Sequence, residues 1–269
     1  MRTRSPRSPD VWRRGMCTRS VRSPDVSPGE ARVPRAPLPD VWRFAGREIP
    51  RAMRVVTLPG VFRPRPDSWL LARHLCAAVR PGASVLDVCT GSGAIAVAAA
   101  GAGAGAVTAI DVSRRAVVTA RINARLNGVR VRALRGDLFA PVAGERFDAI
   151  ACNPPYLPAA DTLPTRGPAR ALDGGIDGRV LLDRVCAGAA SHLRPGGCVL
   201  LVHSSVCGVE QTVERLRATG LRADVVERRR GPLGPLLTAR APLLEARGLL
   251  APGEREEEIV VVRGTRAAG

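Results

Sequence analysis

From residue 53 onward, short apolar runs alternate with stretches of helical spacing. Ser84-Val85-Leu86-Asp87-Val88 reads as a buried strand, followed by a glycine-rich turn and an Ala-rich helix over about residues 92–100. A second strand over 106–110 ends in Asp111. Ser113 then caps a helix that reaches about Asn127, where Gly128 stops it. Third and fourth strands are expected over 129–134 and 147–152. A helix over about 177–192 follows, then a turn at Arg194-Pro195-Gly196-Gly197 and a strand over 198–203. A helix near 209–218 and strands near 221–227 and 258–263 complete the chain. Upstream, Asp67 reads as the N-cap of a helix running to about Val79. Strands that alternate with helices predict an α/β fold, a mainly parallel sheet covered on both faces.

The first 52 residues break this rhythm. They carry 12 Arg against 5 acids, are rich in Pro and Ser, and repeat a Pro-Asp-Val triplet (Pro9, Pro24, Pro39) at irregular spacing. Such a stretch buries too little apolar surface to offset its ordering entropy, so residues 1–52 are expected to be a disordered Arg/Pro-rich extension ahead of one domain over 53–269.

Composition adds three constraints. The formal charge is +17 and all 41 basic residues are Arg, which favours acidic partners, nucleic acid among them. Aromatic residues make up only 3%, so Ala, Val and Leu must fill the core. The seven Cys form no Cys-x-x-Cys pair, which argues for buried thiols in a reducing compartment and against a metal site. No apolar run approaches the ~18–20 residues that span a bilayer, and the Arg-rich start has no apolar signal core. The expected location is the cytoplasm.

Chemistry concentrates at the ends of the predicted strands. The turn Thr90-Gly91-Ser92-Gly93 lets backbone approach a ligand, next to a helix N-terminus. Asp111, at the end of the second strand and about twenty residues past the glycine turn, can accept from both hydroxyls of a ribose. These two signs serve a nicotinamide dinucleotide as well as S-adenosylmethionine, although the turn lacks the third glycine of the dinucleotide fingerprint. Asp137 and Leu138, after the third strand, suit an adenine amine and the flat ring behind it. The deciding segment is Asn153-Pro154-Pro155-Tyr156, just past the fourth strand. A planar nitrogen delocalises its lone pair and is a poor nucleophile, so its N–H groups must be held by acceptors. The Asn153 side-chain oxygen and the Pro154 carbonyl supply two. Consecutive prolines stiffen the loop, and Tyr156, the only Tyr in the chain, offers a flat face. Displacement at a sulfonium methyl needs no strong base, and His74, His192 and His203 fall outside the loop.

Asp87 through Gly93 together with Asn153-Pro154-Pro155-Tyr156 resembles the HemK/PrmC superfamily of class I methyltransferases. Pro64-Arg65-Pro66-Asp67-Ser68-Trp69-Leu70-Leu71 is similar to a family segment that folds over the cofactor. Leu172-Asp173-Gly174-Gly175-Ile176-Asp177-Gly178 is similar to the family's Gly-Gly-x-Asp-Gly stretch. The resemblance covers about 53–263 and is closest to the short branch of archaea and eukaryotes. It implies a Rossmann-like, seven-stranded sheet with an antiparallel last strand, and S-adenosylmethionine as cofactor. Asp67, Ser68, Asp87, Thr90, Gly91, Gly93, Asp111, Asp137, Leu138 and Asn153 would bind that cofactor, with Asp87 near its amino-acid moiety. The implied substrate is the glutamine of a release-factor Gly-Gly-Gln loop, and eukaryotic members pair with a small zinc-binding activator along the third strand's edge. Three other readings stand beside it: methylation of an exocyclic base amine in nucleic acid, of a small molecule, or a non-catalytic binding protein.

Overall fold

The computed structural model describes residues 43–44, 47–48, 53–159 and 168–269. Of the expected N-terminal extension, only β1 (Arg43–Phe44) and β2 (Arg47–Glu48) are described, paired antiparallel. The rest of that expectation lies outside the described residues.

Seven strands form one sheet: β3 (Ser84–Val88), β4 (Ala106–Asp111), β5 (Arg132–Arg135), β6 (Phe147–Cys152), β7 (Leu193–Ser204), β8 (Arg222–Pro232) and β9 (Glu256–Thr265). Their order is β5-β4-β3-β6-β7-β9-β8. Neighbours from β5 to β7 are parallel, and β9 inserts antiparallel between β7 and β8. This is the mainly parallel sheet with an antiparallel last strand that was expected. The chain leaves β3 toward β4 and β5, then returns to the other flank of β3 as β6. That reversal opens a crevice at the carboxyl ends of β3 and β6, where ligands bind in open α/β sheets.

The helices are α1 (Pro66–Ala78), α2 (Ala94–Gly101), α3 (Arg114–Leu126), α4 (Val180–Ala189), α5 (Val209–Ala218) and α6 (Pro235–Ala246). Strand alternation sorts side chains onto two unlike faces. Ile150 and Cys152 of β6, with Val199 and Leu201 of β7, join the core that includes Val185, Cys186 and Leu216 of α4 and α5. Ala149, Ala151, Leu200 and Val202 face Leu71 and Leu75 of α1 and Ala96, Ala98 and Ala99 of α2. Alanine on both sides of that second interface lets α2 approach the sheet closely, so a core with few aromatics still packs. Each fully buried leucine contributes about 2 kcal/mol.

Several expected boundaries shift. Helix α1 begins with Pro66 at its first position, where a missing N–H costs nothing, so Asp67 sits inside the first turn and is not the cap. The third strand is confined to 132–135. The stretch 194–197 is not a separate turn: β7 runs through it, and the pairing register slips between Phe147↔Leu193 and Ala149↔Cys198 around Gly196 at φ 74°. Helix α4 starts at Val180, because Gly178 at φ 78° precedes it. Helix α6 was not foreseen. Pro242 inside it and Gly231 and Gly234 before it read as loop punctuation. Its Leu237, Ala241 and Leu244 nonetheless recur on one face and pack with Val206, Leu233 and Leu250.

Candidate active site

Strand β3 delivers Asp87, fully buried, beneath the glycine turn. One carboxylate oxygen accepts from the Thr90 hydroxyl at 2.5 Å and from the Ala96 N–H at 3.1 Å. These bonds tie the turn to the first turn of α2. The other oxygen is buried without a partner. Burial pushes the carboxyl up to about 7; the Thr90 and Ala96 bonds pull against it, and the Asp111 charge adds to it. Gly93, at φ 80°, is required by packing: a Cβ there would lie 2.7 Å from Ala120.

Asp111, at the end of β4, accepts from Gly91 N–H and Ser113 N–H, both at 2.9 Å, one on each oxygen. Each oxygen keeps a lone pair for a ligand hydroxyl. Burial raises its carboxyl above the ordinary range, and backbone donors and Arg170 oppose the rise. Asp137 meets Arg184 of α4 at 2.7 Å, and both are about half exposed. Leu138 is buried beside it at φ 46°.

A cavity of about 720 Å³ joins these elements. Its walls include Phe62, Gly91, Asp111, Asp137, Leu138 and all four residues from Asn153 to Tyr156. Four carboxylates, Asp67, Asp111, Asp137 and Asp173, line it with four arginines, Arg65, Arg115, Arg170 and Arg184. That donor set, with the unpartnered oxygen of Asp87 two residues before the lining Cys89, fits a ligand carrying both a cationic centre and a carboxylate, plus a diol. S-adenosylmethionine is such a ligand. Ser68, Asp87, Thr90 and Gly93, which the sequence placed at the cofactor, are not among the lining residues. Their side chains and backbone are used to hold the residues that do line it.

Strand β6 delivers the Asn153-Pro154-Pro155-Tyr156 loop opposite the start of α1. The Asn153 amide nitrogen donates to Asp67 Oδ2 at 3.2 Å and to Ser68 Oγ at 3.0 Å. The same Asp67 oxygen accepts from the Tyr156 hydroxyl at 2.9 Å. An ionised carboxylate only accepts, so the amide nitrogen, not its oxygen, must face it. Both donors of Asn153 are thereby used, and among the described residues its oxygen has no partner. Burial, then the Asp67 charge, raises the Tyr156 phenol well above its usual range, so it remains a donor.

Glycines form the floor of this loop. A Cβ on Gly178 would collide with the Tyr156 carbonyl, and one on Gly174 would lie 2.7 Å from the Pro155 carbonyl. The Cys207 thiol donates to the Tyr156 carbonyl at 2.9 Å. Arg179, 2% exposed, binds the Cys207 and Gly208 carbonyls and Asp183, locking α4 to α5 behind the floor. From outside, α6 reaches in with Arg240, which binds the Pro158 carbonyl and Asp173, and Arg247, which binds the Ala159 and Ile176 carbonyls. Sequence reasoning missed these braces, although Leu237, Ala241 and Leu244 at helical spacing after Pro235 were the available signal. It also missed Asn123 of α3 and Asn127 just past its end, which pair with both backbone groups of Val56 and Arg54 respectively, pinning the segment that leads to Phe62.

The histidines lie away from the loop: His74 pairs with Glu227, His192 stacks on Phe139, and His203 is buried in β7. Among the described residues, no group of three His, Cys, Asp or Glu could hold a metal ion, and no helix is long and apolar enough to cross a membrane.

The family model described as "Methyltransferase small domain" matches residues 52–165. A Methanocaldococcus jannaschii protein named as a protein N5-glutamine methyltransferase is 35% identical over 184 residues, spanning 68% of this chain and 92% of that protein. A Gloeobacter violaceus protein named release factor glutamine methyltransferase is 41% identical over 184 residues, 64% of this chain and 63% of its own length. This chain therefore spans slightly less than two thirds of that bacterial relative. Among solved structures, an E. cuniculi complex responsible for methylating a translation termination factor aligns with TM-score 0.54 and 20% identity, covering 77% of this chain and 99% of that one. At that identity the likeness is one of fold.

Proposed function

The chain belongs to the HemK/PrmC family of class I, S-adenosylmethionine-dependent methyltransferases, and from that premise we propose that it methylates a glutamine side-chain amide of a peptide-chain release factor. One observation carries the reading: both donors of Asn153 are engaged by Asp67 and Ser68, which leaves an acceptor oxygen on a loop stiffened by two prolines. The names of the relatives at 35% and 41% identity support the choice of acceptor.

The chain's own residues would work as follows. Asp111 and Asp137 hold the nucleoside side of the cofactor, and the Asp87-braced turn shapes the wall between β3 and α2. When bound, S-adenosylmethionine supplies a methyl group on a sulfonium, an electrophile that needs no further activation. Asn153 Oδ1 and the Pro154 carbonyl accept the two N–H bonds of the substrate amide, which fixes its plane and raises the electron density on nitrogen. Tyr156, tethered through its hydroxyl, limits the approach to one side. The proton leaves to water after transfer, so positioning does the work that a general base does elsewhere.

Nucleic acid is the second reading, and one feature favours it. Residues 112–136 hold seven arginines (114, 115, 121, 125, 130, 132 and 135) and no acid. All seven are exposed on α3, β5 and the link between them, and among the described residues only Arg132 meets a carboxylate, Glu145. On the opposite edge, Arg228 and Arg230 pair with Glu258 and Glu256 across the strands. A basic face beside the cavity suits a phosphate backbone. The small zinc-binding activator that the resemblance implies would dock on the free edge of β5; Arg132 and Arg135 there call for an acidic partner surface. Transfer of a tritiated methyl group into cell extract separates the two readings. The proposal expects label that survives RNase and is lost to protease; the opposite pattern assigns the acceptor to RNA.

A further inference from the structure

Asp67 stands in the segment that the resemblance gives to the cofactor, yet its carboxylate is turned to the acceptor loop. One oxygen accepts from Ser68 N–H at 2.7 Å and from Ser68 Oγ at 3.3 Å. The other accepts from Asn153 Nδ2 at 3.2 Å and Tyr156 Oη at 2.9 Å. A single side chain from α1 thus holds both ends of the Asn-Pro-Pro-Tyr tetrapeptide. We propose that Asp67 is a positioning residue for methyl transfer: it fixes which way the Asn153 amide faces, so that oxygen, not nitrogen, meets the substrate N–H. The inference rests on the reading that Asn153 accepts from the substrate.

The donor and acceptor capacities of its two partners decide which way the Asn153 amide faces. A primary amide can rotate by half a turn at small steric cost, because its oxygen and nitrogen are nearly the same size. Rotated, it would present N–H to N–H and repel the substrate. Ser68 cannot prevent this, since a hydroxyl donates as readily as it accepts. Asp67 can, because an ionised carboxylate has no proton to give. An Asn at position 67 cannot replace it: an oxygen turned to Asn153 and Tyr156 would leave an amide N–H against the Ser68 N–H, and the reverse would leave it against Asn153. The charge and both acceptors are therefore required together. Helix α1 places the group well, with Pro66 opening the helix and Ser68 Oγ closing back on the Arg65 N–H at 3.3 Å.

The test uses the full chain, tritiated S-adenosylmethionine and a purified release-factor domain bearing its Gly-Gly-Gln loop. Asp67→Asn is expected to lower kcat by about 100-fold, the effect of a misplaced reacting group, with cofactor affinity by calorimetry within about threefold of wild type. Intact cofactor binding also reports that the variant is folded. Ser68→Ala is expected to cost kcat less than about fivefold, because its hydroxyl does not discriminate between the two amide orientations. In an Asn153→Ala background, Asp67→Asn is expected to cost nothing further. Three results would overturn the proposal: unchanged kcat in Asp67→Asn, lost cofactor affinity with kcat preserved, or a loss in Ser68→Ala equal to that in Asp67→Asn. Full activity in Asn153→Ala alone would overturn the functional reading as well, and so marks that failure apart from this one.

Discussion

Strands β3 and β6 lie side by side, and their carboxyl ends build two unlike loops. The β3 loop is held from below by one buried carboxylate, Asp87, and offers backbone to the cavity. The β6 loop is held at its sides, by Asp67 and Ser68 above and by the Gly174 and Gly178 floor beneath, and offers a side-chain acceptor. A loop that only has to cradle a cofactor can rely on backbone shape. A loop that must select and activate a flat N–H group needs an oriented amide, so its supports are specific about donor and acceptor.

The sharpest way to break this contrast is to remove the acceptor. Asn153→Ala should lower kcat by about 100- to 1,000-fold, the scale seen when one preorganised hydrogen-bonding group is lost, while calorimetry finds cofactor affinity nearly unchanged. Next comes the floor. Gly178→Ala places a methyl group against the Tyr156 carbonyl at a backbone angle unfavourable to alanine. It should cost about 2–3 kcal/mol in urea unfolding, with activity falling alongside. The cofactor side answers differently. Asp111→Ala should weaken S-adenosylmethionine binding by about tenfold or more, through loss of two acceptors, without selective damage to kcat at saturating cofactor.

A separate pH effect is confined to the β3 loop. Asp87 titrates near 7 when folded, against an ordinary 3.8. Between about pH 4 and 7 the folded chain holds a proton that the unfolded chain has released. The stability contributed by this group is therefore fully present below about pH 4, declines as pH rises to about 7, and is level above. An Asp87→Asn variant should lack that decline, so its stability difference from wild type should change between about pH 4 and 7; the same slope in variant and wild type would mean that Asp87 is not the group responsible.

The sheet was legible because buried parallel strands are short, apolar and separated by glycine or capping residues. Strand β6 fell where 147–152 predicted it, and Ser113 caps α3 through the Ala116 N–H. Helix α6 was hidden by Pro242, which outweighs local helical spacing when tertiary contacts are unknown. The candidate site was legible at the level of which residues gather: Asp111, Asp137, Leu138 and the tetrapeptide all line one cavity. The division of labour was not. That Asp67 faces Asn153 depends on a contact 86 residues apart in sequence, which no local pattern encodes.

The claim at the centre is that Asn153 presents its oxygen to a planar substrate amide. Its most direct test is fragmentation mass spectrometry on a release-factor domain incubated with enzyme and S-adenosylmethionine. The account predicts one added methyl group on the side-chain nitrogen of the Gly-Gly-Gln glutamine with wild-type enzyme, and none with an Asn153→Ala variant that still binds cofactor. Methylation at equal rate by that variant would contradict it.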